Sequence, residues 1–138
     1  MGGVGPRRRA LLLAGAGFAL LAGLTGALVL LGLAMPAASL RLGAVHGLLM
    51  AFGFLGTLVS LERAVALGRG WGYVAPLASA AGAVMLVAGA VSAATWLFVI
   101  AGAAFVAIYL AFDRIERSVH GSVQAAGAAA WLGGAILL

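Results

Sequence analysis

The sequence has no cysteine and no lysine, and only three of its 138 residues are acidic. Without cysteine, neither a disulfide framework nor a thiolate metal site is available. Aromatic residues make up 8% of the chain, too few for a surface on which nucleic-acid bases stack. Charged residues also make up only 8%, against 65% hydrophobic residues, and this composition excludes an ordinary soluble domain. The partner that it predicts is the lipid bilayer.

Long apolar runs fill the chain and predict an all-α fold, a polytopic transmembrane helix bundle of five spans. In this single domain the predicted spans are residues 10–34, 43–61, 73–91, 96–112 and 119–138. The run from residue 73 to 112 would reach ~60 Å as one helix, twice the ~30 Å hydrocarbon core, so it must turn back. We place this turn at the polar residues 92–95. The first run follows three arginines, as in a signal peptide, but is longer than the usual apolar region of about 7–15 residues.

The positions of the arginines predict the orientation of the bundle. With a cytoplasmic N-terminus, the outer segments hold Arg41 alone, and all other arginines fall in inner segments: Arg7, Arg8, Arg9, Arg63, Arg69, Arg114 and Arg117. An excess of arginine in short cytoplasmic segments sets topology, so it accounts for the net charge of +5 without a nucleic-acid partner. The prediction is a protein of the bacterial inner membrane with its N-terminus in the cytoplasm.

One apolar helix, residues 43–67, carries a histidine near one end and the Glu62–Arg63 pair at the other. Four of its residues recur at helical spacing and share one face, and these are His46, Met50, Gly53 and Thr57. The remaining faces, which include Phe52, are expected to turn toward lipid. An ionisable residue inside a span is a functional-site hypothesis, so His46 is a candidate ligand, with Met50 one turn away. The alternative is a hydrogen bond between packed helices, with Met50 filling the core.

The two histidines lie in two similar segments of the chain, since VHGLLMAFG at residues 45–53 aligns with VHGSVQAAG at residues 119–127. If it is a duplication, spans two and five are related by an inverted repeat of three plus three spans. The incomplete second half predicts that the protein continues past Leu138, to six or more spans. Because spans two and five are three spans apart, they run in opposite directions, which places His46 near the outer surface and His120 at the inner end of its helix. One metal ion cannot then be bound by both histidines of one chain.

His120 has further polar residues near it in the sequence. Glu116 precedes it by four residues, Gln124 continues its helical face, and Glu62 ends span two on the same side of the membrane. A carboxylate that accepts the imidazole N–H fixes the tautomer and supports a metal site. The alternative is a cluster of interfacial charges paired with neighbouring arginines.

The stretch HGLLMAFGFLGTLVSLERAVALGRGW, residues 46–71, resembles a motif of uncharacterised bacterial polytopic membrane proteins. More distantly, it resembles the NnrS family of haem- and copper-containing membrane proteins. This resemblance implies that His46 and His120 are candidate ligands of haem or a transition metal.

No catalytic constellation is present in the sequence, which favours a protein that is not an enzyme. Three functions stay open. The first is a membrane protein that binds haem or a metal through its histidines. The second is a small secondary transporter, or half of one, built on inverted repeats. The third is an accessory or scaffold subunit of a homo-oligomer or a larger membrane complex.

Overall fold

The computed structural model describes residues 6–114 and 119–138, and within these ranges the chain is helical without strands. The helices are α1 (Pro6–Leu30), α2 (Arg41–Leu48), α3 (Gly56–Leu67), α4 (Val74–Ala88), α5 (Val91–Asp113) and α6 (Val119–Ile136). A seven-residue π-helical stretch, Leu49–Leu55, joins α2 to α3 without interruption. We call this stretch the π segment, and α2, the π segment and α3 together the His46 span. The all-α prediction is confirmed.

Among the described residues, four stretches are long and apolar enough to cross a membrane, judged by length and composition: Arg9–Leu30, Ala37–Leu67, Gly70–Ala88 and Val91–Asp113. α6, the fifth predicted span, is not among them. It is less apolar because its first two turns carry His120, Ser122 and Gln124. The structure therefore supports the predicted architecture for four of the five spans.

Successive helices run in opposite directions when the His46 span is counted as one helix, and two buried clusters show which ends meet. One cluster joins the second half of α1 to α2, the end of α4, the start of α5 and the end of α6. The other joins the first half of α1 to the end of α3, the start of α4 and the end of α5. The bundle thus has an arginine end, where Arg9, Arg63, Arg69 and Arg114 lie, and an opposite end, where Arg41 lies.

α1 and the His46 span cross closely because glycine lies at the contact. A Cβ atom on Gly26 would overlap the backbone carbonyl of Leu42 and come within 3.1 Å of His46 Cβ. Close approach through small residues is the usual way in which helices pack when the surroundings are apolar. This crossing places His46 directly against α1.

The turn between α4 and α5 is made by Gly89, whose φ of 87° is left-handed. Its amide donates to the Leu86 carbonyl (3.0 Å) and the amide of Ala90 to the Met85 carbonyl (2.9 Å), which is a Schellman motif. The chain therefore turns before residues 92–95, where we had placed the hairpin, and those residues belong to the first turn of α5. Arg41 Nη2 donates to the Val87 carbonyl (2.5 Å) and holds the start of α2 against this turn.

Candidate functional site at the π segment

The π segment interrupts the regular α-helix halfway along the His46 span. Its hydrogen bonds run five residues along the chain, as from the Gly56 amide to the Ala51 carbonyl. Two of its carbonyls also accept hydrogen bonds from side chains of other helices. Ser79 Oγ of α4 donates to the Phe52 carbonyl (2.5 Å), and Trp131 Nε1 of α6 donates to the Ala51 carbonyl (3.3 Å). The π segment is therefore held by two helices at once.

Aromatic rings pack beside these hydrogen bonds. The ring of Phe52 is buried, with its centroid 4.7 Å from that of Trp131 and 5.3 Å from that of Phe98. This corrects the expectation that Phe52 turns toward lipid. The wider π turn and the docking of α6 bring its side chain into the bundle.

The three buried polar side chains of the described residues, Thr57, Ser60 and Ser79, all belong to α3 and α4. Ser60 Oγ donates to the Gly56 carbonyl of its own helix (2.5 Å). Thr57 Oγ1 is fully buried and has no hydrogen-bond partner within the described part of the chain. A hydroxyl left without a partner in an apolar interior costs about 1–3 kcal/mol, so its presence here calls for an explanation.

Close contacts with two other helices precede Thr57 in the chain. Gly53, four residues earlier, approaches both α1 and α4, since a Cβ atom built on it would be 3.1 Å from Ala19 Cβ and 2.9 Å from Ala83 Cβ. The buried Thr57 therefore comes soon after a point where the His46 span packs closely against α1 and α4.

His46 is partly buried against α1, and its Nδ1 lies 2.7 Å from the Gly23 carbonyl oxygen. A carbonyl only accepts hydrogen bonds, so Nδ1 carries the proton and Nε2 of the neutral ring does not. This arrangement is typical of histidines that bind a metal through Nε2. The same hydrogen bond also fits the alternative interpretation, in which His46 only links two packed helices.

Met50 packs in the same seam, because a Cβ atom on Gly23 would overlap its Sδ. Both Met50 and His46 thus contact α1 at Gly23. Within the described ranges, no group of three or more His, Asp and Glu side chains is placed to hold a metal ion. Any metal or haem at His46 would take its other ligands from Met50, water or another molecule.

The other group of candidate residues, around His120, is not brought together within the described residues. His120 and Gln124 are exposed on the first turns of α6. Glu62 is paired with Arg63 (3.1 Å), and its side chain is 70% exposed. Glu116 lies outside the described residues. His46 and His120 belong to opposite ends of the bundle, the latter at the arginine end.

From the sequence we placed no candidate site at Ser79 or Trp131. Both are polar groups in the middle of apolar helices, which was the available signal. Their partners are backbone carbonyls, which every residue has, so the sequence does not indicate which ones they bind.

In its described part, the chain is an all-helical protein with four helices long and apolar enough to span a membrane, one of which contains the π segment. It belongs to the family defined by a domain of unknown function (DUF8744), whose model matches residues 9–138. No curated protein and no solved structure matches the chain.

Proposed function

We propose that the chain is an integral protein of the bacterial inner membrane, with five spans and a cytoplasmic N-terminus, that binds haem or a transition metal through His46. Large apolar side chains exposed on α1, such as Leu11 (71%) and Leu21 (67%), support the membrane location because lipid would cover them. The gathering of arginines at one end supports the orientation. α6 completes the count of five, with its polar residues confined to the arginine end.

The hydrogen bond from His46 Nδ1 to the Gly23 carbonyl carries the proposal for the ligand. It fixes the ring and leaves the unprotonated Nε2 as a donor of an electron pair to a metal. Met50 packs at the same glycine and offers a thioether, a ligand that occurs with histidine in haem proteins. The resemblance of residues 46–71 to the NnrS family is a second line of support, and it too concerns His46.

The following test distinguishes a role of His46 as a ligand from a role in helix packing. Asparagine can place its side-chain N–H near the position of Nδ1 and keep the bond to Gly23, but it has no counterpart of Nε2. We expect the wild-type protein, purified after expression with haem and metals supplied, to show a haem absorbance band or a bound metal by elemental analysis. His46→Asn should lose the cofactor and show the thermal midpoint of the cofactor-free wild type. The matched control His120→Asn should keep the cofactor and the midpoint of the loaded wild type.

Two results would contradict the proposal. One is a wild-type protein that holds neither haem nor metal. The other is a His46→Asn variant that holds as much as the wild type. In either case His46 serves helix packing only.

A second candidate, a small secondary transporter, is favoured by the π segment and the unpaired Thr57 hydroxyl. Irregular helical backbone at membrane depth, with carbonyls turned from the regular ladder, coordinates ions in many transporters. Sodium uptake into proteoliposomes tests it. Thr57→Val should abolish uptake, and the matched control Thr95→Val, on a hydroxyl bonded within α5, should not. Absence of uptake by the wild type leaves the accessory subunit as the alternative.

A further inference from the structure

A cavity of about 380 Å³ opens at the arginine end of the bundle, between α5 and the turn that follows α3. Its volume lies within the roughly 300–1,000 Å³ range of small-molecule sites. Its lining residues are Arg69, Trp71, Ala107, Leu110, Ala111 and Arg114. Neither His46 nor the π segment contributes to it, so it is separate from the site described above.

The charged part of this cavity comes from two different elements. Arg69 follows the end of α3, and Arg114 follows the end of α5. Within the described ranges, neither guanidinium has a hydrogen-bond or ion-pair partner, whereas nearby Arg63 is paired with Glu62. Among the described residues no acidic side chain lines the cavity, and Asp113, next to Arg114 in the chain, is not part of the lining. Two arginines that face one cavity favour a doubly hydrogen-bonded anion such as phosphate.

The rest of the lining is apolar and lies along one face of α5. Ala107, Leu110 and Ala111 are spaced as neighbours on that face, and Arg114 comes one turn further on. Leu110 is 54% exposed and Trp71 is 40% exposed. An apolar wall that ends in two arginines and an indole is complementary to an amphipathic molecule, with acyl chain on the wall and headgroup at the arginines. Free phosphate would leave this wall uncovered.

We propose that the cavity binds an anionic phospholipid of the cytoplasmic leaflet, with its phosphate held by Arg69 and Arg114 and an acyl chain along Leu110. The inference rests on the membrane placement given under Proposed function, and it is independent of any cofactor at His46. Basic pockets between spans at the cytoplasmic side are a known form of lipid-headgroup site. Trp71 lies in the cavity and reports on its occupation.

Tryptophan quenching in vesicles tests the proposal. The protein is reconstituted in phosphatidylcholine vesicles in which a minor fraction of lipid is brominated, either as phosphatidylcholine or as phosphatidylglycerol. The Trp71 signal is the difference between the wild type and Trp71→Phe. Trp96, 69% exposed at the opposite end of the bundle, is the internal reference for insertion, and its signal is the difference between the wild type and Trp96→Phe.

We expect brominated phosphatidylglycerol to quench Trp71 more strongly than brominated phosphatidylcholine, with no such preference at Trp96. Arg69→Gln and Arg114→Gln should each lower the apparent affinity for phosphatidylglycerol at least about tenfold, the loss expected for one direct hydrogen bond between charged groups. The matched control Arg9→Gln removes an exposed arginine at the same end, outside the cavity, and should leave the affinity unchanged.

Equal quenching of Trp71 by the two brominated lipids overturns the proposal, provided that Trp96 is quenched. An equal loss of affinity in Arg9→Gln also overturns it, because the attraction is then a general surface effect. Loss of the preference on addition of inorganic phosphate identifies a soluble anion as the occupant and contradicts the lipid. If neither lipid quenches Trp96, the membrane placement itself fails, and the lipid site fails with it.

Discussion

Substitution of Ser79 by alanine tests whether the π segment depends on its side-chain donors. Ser79 is fully buried, and its Oγ donates to the Phe52 carbonyl at 2.5 Å. An unpaired buried carbonyl costs about 1–3 kcal/mol in soluble proteins. Hydrogen bonds between membrane helices contribute less, about 0.6 kcal/mol on average and about 1.7 at most, because the freed group finds other partners. Without Ser79 Oγ, the Phe52 carbonyl can still accept a hydrogen bond from an amide of its own helix, so the smaller energy, that for membrane helices, applies.

We therefore expect Ser79→Ala to lower the free energy of unfolding by about 1 kcal/mol. Equilibrium unfolding in mixed micelles, followed by circular dichroism, measures this change. The matched control is Ser92→Ala, since Ser92 is exposed in the first turn of α5. A surface substitution of this kind changes stability by less than about 0.5 kcal/mol. If Ser79→Ala is no more destabilising than Ser92→Ala, the hydrogen bond to Phe52 does not support the π segment.

A double-mutant cycle extends the same test to α6. Trp131→Phe removes the donor to the Ala51 carbonyl and keeps an aromatic ring beside Phe52. Since Ser79 and Trp131 hold adjacent carbonyls of one segment, we expect a coupling energy of at least about 0.5 kcal/mol between the two substitutions. Strictly additive effects would refute a shared support and would mean that each helix docks independently.

Three further predictions concern glycines and topology. Gly26→Ala should lower the free energy of unfolding by about 1–3 kcal/mol because its Cβ would overlap the backbone of α2, whereas Gly17→Ala, with open space around it, should be neutral or stabilising by up to about 1 kcal/mol. Equal effects of the two, measured by the same unfolding assay, would contradict the close helix crossing. Gly89→Ala should cost about 1–2 kcal/mol by left-handed strain, and an unchanged midpoint would contradict it. A cysteine at Ser39 should react with an impermeant thiol reagent from the periplasm and one at Gly70 should not; the reverse pattern would overturn the orientation.

The helices themselves could be predicted from the sequence, because hydropathy alone marks the stretches that need burial or lipid. The turn at Gly89 could also have been predicted, since a glycine directly after an apolar helix is the common form of a C-terminal cap. We placed the turn instead at Ser92 and Thr95, but a threonine at this position bonds to its own helix, as Thr95 Oγ1 does to the Val91 carbonyl. Polarity was thus a weaker guide to the turn than backbone freedom.

The π segment could not be predicted from its own residues. Its carbonyls accept hydrogen bonds from donors far away in the sequence, 27 residues on at Ser79 and 80 residues on at Trp131. A helical wheel of residues 43–67 assumes a regular turn throughout, so it placed Phe52 on the outer face, whereas the structure buries it. The face that carries His46 was easier to assign, because its contacts with α1 precede the irregular turn. The role of His46 depends on what its Nε2 meets, and composition does not encode this.

The hydrogen bonds of the π segment also set an order of events during synthesis. The His46 span leaves the ribosome before α4, which carries Ser79, and α6 follows last of the described helices. Until its two donors arrive, an ordinary α-helix satisfies the backbone of residues 49–55 equally well. We expect the span to form as a regular helix and to widen when α4 and α6 dock; faster hydrogen exchange of the Gly56 amide in Trp131→Phe would support this, and unchanged exchange would contradict it. On this view the His46 span reaches its final shape only after α6 has docked, so the π segment beside His46 forms late in synthesis.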